Sequence, residues 1–290
     1  STQVNVACHG ESTGSIDVSV TGGTSPYTYA WNSGQSSQDL SSIPTGTYSL
    51  EITDFNGCVF LLPTVQVTQP TAPLSDAFVS VPVACFGEST GSVSTTISGG
   101  TTPYSYLWST GATNSQITNQ PAGNYTLTVT DHQGCVFTNS YAISQPLAAL
   151  GLDLSMNPVI CFGESNGNVS ASVSGGTIPY SYAWNSGQTT DVVTGLPAGN
   201  YTVVVTDFNN CQISETIEIT QPDALAIQLS AGDVLCHGLA TGSASVDAIG
   251  GQGVYTYSWT NGATTASISN LMAGNYEVTV TDENNCSFTN

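Results

Sequence analysis

The residues of this chain best placed to do chemistry are eight cysteines. They fall into four pairs with a constant step of fifty residues: Cys8/Cys58, Cys85/Cys135, Cys161/Cys211 and Cys236/Cys286. Thiols at fixed spacing either bond to one another or hold a metal. Structural zinc sites draw ligands close in sequence, as CxxC or HxxxH, and no such run occurs. His9 and His237 follow the first cysteine in two units, but Phe86 and Phe162 replace them in the others, so the histidines read as turn residues. The expectation is one disulfide per pair, stapling the first corner of each unit to its last hairpin. Closing a loop of about fifty residues stabilises by roughly 4 kcal/mol in a chain-entropy account. Paired cysteines in small units point to an oxidising, extracellular setting.

The carboxylates come next. The chain has 20 acidic residues, no Lys or Arg, and a formal charge of −20. Nucleic acid and anionic membrane surfaces are therefore disfavoured as partners, because binding them begins with Lys and Arg on phosphates. Trypsin-like proteases find no site. No acid can pair with a lysine or arginine, so each must be solvated, hydrogen-bonded to backbone, or bound to a metal. Two arrangements compete. Oxygen ligands at alternate positions, as in Asp54-Phe-Asn56 and Asp207-Phe-Asn209, suit a calcium loop. If the disulfide joined the two turns, Glu11, Glu88 and Glu164 of the Cys-x-Gly-Glu turns would meet Asp54, Asp131 and Asp207 around one ion, with Asp282 in unit four, where Leu239 replaces the Glu. The alternative is an aspartate bonding the backbone of its own hairpin. Catalysis is not expected. No lysine is available for a Schiff base and no arginine for a clamp. No histidine recurs in more than two units, which removes the base of a Ser-His-acid triad.

These side chains are positioned by a repeat. A tryptophan follows the first cysteine by 23 residues in every unit (Trp31, Trp108, Trp184, Trp259), and a tyrosine follows by 40 (Tyr48, Tyr125, Tyr201, Tyr276). Only the stretch between units changes length. A fixed period of this size means one small fold copied four times. Within the third unit the apolar period is two. Val169, Ala171 and Val173 alternate with serines, Tyr180, Tyr182 and Trp184 share a face, and Tyr201, Val203 and Val205 share another. Gly-Gly, Ser-Gly and Asn-Asn turns separate these runs. The expected fold is all-β: four tandem immunoglobulin-like β-sandwich repeats of six or seven short strands, one disulfide each, arranged as a rod. The tryptophans and the tyrosines serve as core, and Gly-x-Tyr resembles a tyrosine corner. Gln69-Pro70, Gln145-Pro146 and Gln221-Pro222 mark the joints. They give units 1–70 (first strand incomplete), 71–146, 147–222 and 223–290 (last strand missing). The pattern starts and stops inside a repeat, no signal peptide is present, and no run is long and apolar enough to insert in a membrane. The expectation is a slice of a longer exported protein.

The string Cys-x-Gly-Glu, then Gly175-Gly176-Thr177-Ile178-Pro179-Tyr180-Ser181-Tyr182-Ala183-Trp184, then Ala198-Gly199-Asn200-Tyr201 and a closing Thr-Gln-Pro, closely resembles the SprB repeat. Repeat four departs at Gly253-Val254, where the proline is missing. The resemblance spans essentially the whole chain. It implies a large cell-surface adhesin of gliding bacteria and their relatives, with neighbouring repeats of the same chain as partners. Two rival readings stand beside this structural or adhesive filament segment. One is an array of modules binding surface glycans; the other is a filament subunit that assembles by strand donation.

Overall fold

The computed structural model describes residues 1–290, which fall into two compact units, Ser1–Gln145 and Pro146–Asn290. The first unit holds two repeats. Repeat one contains β1 (Thr2–Val4), β2 (Gly14–Asp17), β3 (Thr28–Trp31), β4 (Leu40–Ile43), β5 (Gly46–Thr53) and β6 (Val59–Val67). Repeat two contains β7 (Ser75–Val81), β8 (Gly91–Ser98), β9 (Ser105–Trp108), β10 (Gln116–Gln120), β11 (Gly123–Thr130) and β12 (Val136–Ile143). Each repeat makes two antiparallel three-stranded sheets. Their orders are β1-β2-β4 and β3-β5-β6 in repeat one, β7-β8-β10 and β9-β11-β12 in repeat two.

The second unit repeats the plan. Repeat three contains β13 (Gly151–Asn157), β14 (Gly167–Ser174), β15 (Ser181–Trp184), β16 (Val192–Leu196), β17 (Gly199–Thr206) and β18 (Gln212–Ile219). Repeat four contains β19 (Asp223–Gly232), β20 (Gly242–Gly251), β21 (Thr256–Trp259), β22 (Ser267–Leu271), β23 (Val278–Thr281) and β24 (Ser287–Thr289). The sheets are β13-β14-β16 with β15-β17-β18, and β19-β20-β22 with β21-β23-β24. The fold is an all-β, immunoglobulin-like sandwich in tandem.

Alternation produces each core. In β11, Tyr125, Leu127 and Val129 are buried while the threonines between them face outward. They meet Val93 of β8 and Ile117 of β10 from the opposite sheet, so both layers contribute to one core. The tryptophan lies at the centre of every repeat: Trp31, Trp108, Trp184 and Trp259 are all buried. Its indole N–H donates to the carbonyl six residues on, at 2.8–2.9 Å from Trp Nε1 to Ser37, Asn114, Thr190 and Thr265 O. One side chain thus fills the core and pins the following loop.

The tyrosine corner forms in all four copies. The hydroxyls of Tyr48, Tyr125 and Tyr201 donate to the carbonyls of Pro44, Pro121 and Pro197 at 2.8–2.9 Å. In repeat four Met272 replaces the proline, the bond from Tyr276 lengthens to 3.2 Å, and the ring is only half-buried. The strands β4, β10, β16 and β22 are not visible as alternating runs. A residue in the left-handed region (Ser42, Asn119, Gly195, Asn270) interrupts each, and the ladder shifts register there. The buried side chains of β4, Leu40 and Ile43, are consequently three apart instead of two.

Candidate functional site

The two cysteine turns of a repeat lie at opposite ends of its last full strand. The first turn is held at the Gln-Pro end. Val6 N donates to Thr68 O, and Gly10 N to the Gln69 side-chain oxygen at 2.8 Å. Gly87 with Gln145 and Gly163 with Gln221 repeat this at 3.0 and 2.9 Å. The glutamine of the joint therefore caps the cysteine turn, a role its position beside proline did not disclose. The second cysteine stands at the other end, just before β6, β12, β18 or β24. A strand of nine residues such as β6 spans about 30 Å.

A disulfide needs Cα atoms within about 7 Å, so the bridge expected inside each repeat is not made. Cys8 bonds Cys135 instead, with Cα atoms 5.6 Å apart, joining repeat one to repeat two. Cys161 bonds Cys286, at 5.7 Å, joining repeat three to repeat four. Cys85 and Cys211 are also disulfide-bonded, whereas Cys58 and Cys236 are exposed free thiols. The expectation of one bridge per repeat is corrected accordingly: the first cysteine of one repeat reaches the second cysteine of the next. The sequence ruler of fifty residues reports two fixed places in one fold, not a bond between them.

The second cysteine is positioned by an aspartate. Asp131 Oδ1 accepts from the N–H groups of Gln133 and Cys135, each at 2.9 Å, and Oδ2 accepts from Thr101 N at 2.8 Å. Asp54 makes the same three bonds to Asn56, Cys58 and Thr24. Asp207 makes them to Asn209, Cys211 and Thr177. Asp282 holds Cys286 and Gln252. One carboxylate thus ties the last hairpin to the Gly-Gly turn and fixes the cysteine backbone. Gly100 has to be glycine there: its φ is +59°, and a Cβ would lie 2.7 Å from Asp131 Oδ2. The N–H groups of Cys58 and Thr24 hold the Asp54 carboxyl below its ordinary range. For Asp131, burial pushes the value up, but the N–H groups of Thr101, Cys135 and Gln133 outweigh it and the net shift is downward.

In this geometry each of these aspartates accepts from the backbone of its own hairpin. Glu11, Glu88 and Glu164 sit in the first turn, each N–H bonded to the cysteine carbonyl three residues back. Asp54, Asp131 and Asp207 stand at the far end of the strand, so the carboxylates proposed to share one ion within a repeat are not brought together. Asn56 and Asn209 turn their amides to Thr24 and Thr177 hydroxyls at 3.0 and 3.1 Å. No group of three or more His, Cys, Asp or Glu is arranged to hold a metal.

Around the formed bridge the two turns pack directly. The Cys135 sulfur lies 3.4 Å from Ala7 O, and in the second unit Asn284 donates to Ile160 O at 3.2 Å. The hairpin tips beyond the joint are exposed, Phe55 and Phe208 at 70% and 67%.

Six-stranded sandwiches linked by cysteine joints define a tandem-repeat protein of the immunoglobulin-like class. The SprB repeat profile matches residues 1–36, 77–113, 154–189 and 230–264. The chain belongs to the SprB repeat family. No curated protein matches it. Solved structures with related architecture include a tetra-tandem repeat in the extending region of a large adhesion protein, 14% identical with a TM-score of 0.27, covering 96% of this chain and 94% of that one. The protocadherin GammaB4 extracellular domain is 12% identical with a TM-score of 0.34, covering 99% of this chain and 64% of that one. Domains 3–5 of Drosophila OTK are 11% identical with a TM-score of 0.30, covering 68% and 86%. No helix is long and apolar enough to cross a membrane.

Proposed function

We propose that this chain is a structural segment of a large extracellular surface adhesin that serves cell attachment or gliding. The observation that carries the reading is the joint. A bond from Cys8 to Cys135 makes two successive repeats one covalent body, and such bonds persist only in an oxidising compartment. The family membership agrees, since SprB repeats resemble those of surface adhesins. The absence of Lys and Arg suits a chain exposed to secreted proteases. Nothing in the four repeats gathers catalytic groups, and each polar constellation serves the fold or the joint. The segment presents binding parts carried elsewhere on the adhesin and does not itself grip the substratum.

Antibodies raised against residues 1–290 should label intact, unpermeabilised cells. Deleting the four repeats in frame should weaken attachment while leaving the adhesin exported. Labelling only after permeabilisation would overturn the extracellular assignment. Tight binding of the isolated chain to glycans or to glass would overturn the passive role.

A further inference from the structure

The Cys8–Cys135 and Cys161–Cys286 bridges obey one rule: the first cysteine of a repeat bonds the second cysteine of the repeat that follows it. Applied to repeat one, the rule leaves its second cysteine, Cys58, without a partner. Applied to repeat four, it leaves the first, Cys236. These two are the free, exposed thiols. We propose that Cys58 and Cys236 are docking cysteines for further SprB-type repeats in tandem. Cys58 takes the first cysteine of a repeat seated on repeat one, and Cys236 takes the second cysteine of a repeat seated on repeat four. The inference rests on the joint geometry and does not depend on an adhesive role.

Two further observations point to the incoming repeat. Cys58 is presented as its bonded counterparts are: Asp54 Oδ1 holds its N–H at 2.9 Å, as Asp131 holds Cys135 and Asp282 holds Cys286 at 2.9 Å. Beside it lies an open seat. In repeats two to four the connecting segment presses on the Gly-Gly turn. A Cβ on Gly99, Gly175 or Gly250 would lie 1.9, 1.9 or 2.1 Å from the carbonyl oxygen of Pro73, Ala149 or Ala224. Leu74, Leu150 and Leu225 of those segments pack beside the next glycine. In repeat one Gly22 has nothing within 4 Å. A cavity of about 460 Å³ opens there, lined by Val18, Val20, Tyr27, Ile52 and Leu62 and reaching Cys58. Its occupant in every other repeat is a leucine from the segment entering that repeat. The seat therefore fits a tandem neighbour and its connector.

Bond formation is thiol–disulfide exchange with a disulfide oxidant such as oxidised glutathione. One thiolate displaces glutathione to give a mixed disulfide, and the partner thiolate displaces the second glutathione. Two thiols and one oxidised glutathione give one protein disulfide and two reduced glutathiones.

The test adds residues 147–228 before Ser1 and residues 140–222 after Asn290, so that each added repeat comes with its connecting residues in register, with folding in a glutathione redox buffer. Peptide mapping should find Cys58 and Cys236 bonded to the added repeats. The titre should stay at two free thiols per chain, as in the parent, but they should move to the outermost repeats. Cys58→Ser in the lengthened chain should expose one more thiol, on the incoming first cysteine. Cys58 or Cys236 still free while the Cys8–Cys135 and Cys161–Cys286 bonds are intact would overturn the proposal, as would bonding of either within its own repeat. The parent chain, oxidised alone at about micromolar concentration, should remain monomeric, since tethering supplies the roughly millimolar effective concentration the joint needs. Head-to-tail Cys236–Cys58 linkage between copies there would overturn the tandem source in favour of self-assembly.

Discussion

Repeats two and three share every strand, yet they lock the first strand to the last in different ways. In repeat two, Asp76 of β7 accepts a 2.6 Å hydrogen bond from the Tyr141 hydroxyl of β12, with Asn139 donating to its other oxygen at 3.3 Å. Tyr141 is 2% exposed and packs against Phe78 and Trp108, at ring-centroid distances of 4.9 and 5.5 Å. In repeat three the matching positions are Leu152 and Ile217, both packed in the core with Leu154 where Phe78 stands. The polar pair and the apolar pair are each self-consistent, and they have changed as pairs. The central Trp, the tyrosine corner and the aspartate–cysteine hairpin have not changed at all. The sandwich tolerates either chemistry at its edge because the lock needs matched partners, not particular ones.

Mixing the pairs should break this equivalence, most severely when a charge loses its donor. Leu152→Asp would place a carboxylate against Ile217 and should cost about 3 kcal/mol or more. Adding Ile217→Tyr should recover most of the loss. Hydrogen exchange of β13 and β18 reads the effect locally, and failure of the double variant to recover would refute the pairwise account. Asp76→Ala should cost about 1–3 kcal/mol, because it strands a buried hydroxyl. Tyr141→Phe should cost less, about 1 kcal/mol, because the half-buried Asp76 can rehydrate. Denaturant midpoints for the two variants should fall in that order.

The pH responses should differ in the same direction. Burial, then the Asp76 hydrogen bond and charge, raises the Tyr141 phenol above its ordinary value. Its neutral form is favoured in the fold, so that stability is complete below about pH 10 and is lost as pH rises further. Repeat three has Ile217 there and should lack this alkaline component, which phenolate absorbance and hydrogen exchange at β12 and β18 can separate. Asp54 and Asp131 are shifted the other way. Their contribution is complete above about pH 4 and drains as pH falls through the lowered folded values. Asp131→Asn should flatten the acid limb of repeat two, seen as a smaller drop in urea midpoint between neutral and acid pH.

Much of this fold was legible because its signals are local. Period two marked the buried faces of β14 and β17, the fixed tryptophan marked the core, and Gly-x-Tyr marked a corner that closes over only four residues. The strand β16 and its equivalents were hidden by a left-handed residue that breaks alternation. The cysteine pairing was hidden for a different reason. In an exact repeat each first cysteine stands in the same register to every second cysteine, so spacing carries no information on which copy it meets. The Gln69 and Gln145 caps decide it, by holding the first turn at the end of the repeat that the next repeat adjoins, and their partners are 58 and 59 residues away.

The bridges also shorten the path that carries load. A pull on both termini of an uncrosslinked chain of 290 residues could draw it out to about 1,000 Å. With Cys8 bonded to Cys135 and Cys161 to Cys286, tension passes through the sulfurs and bypasses most of the four sandwiches. The loaded backbone is then Ser1–Cys8, Cys135–Cys161 and Cys286–Asn290, about forty residues and about 130 Å at full stretch. Strands such as β2 to β5 lie inside a closed loop and are never pulled upon directly. Such a tether yields little length before a covalent bond must break, and reduction of its disulfides would turn the same chain into a long, compliant one.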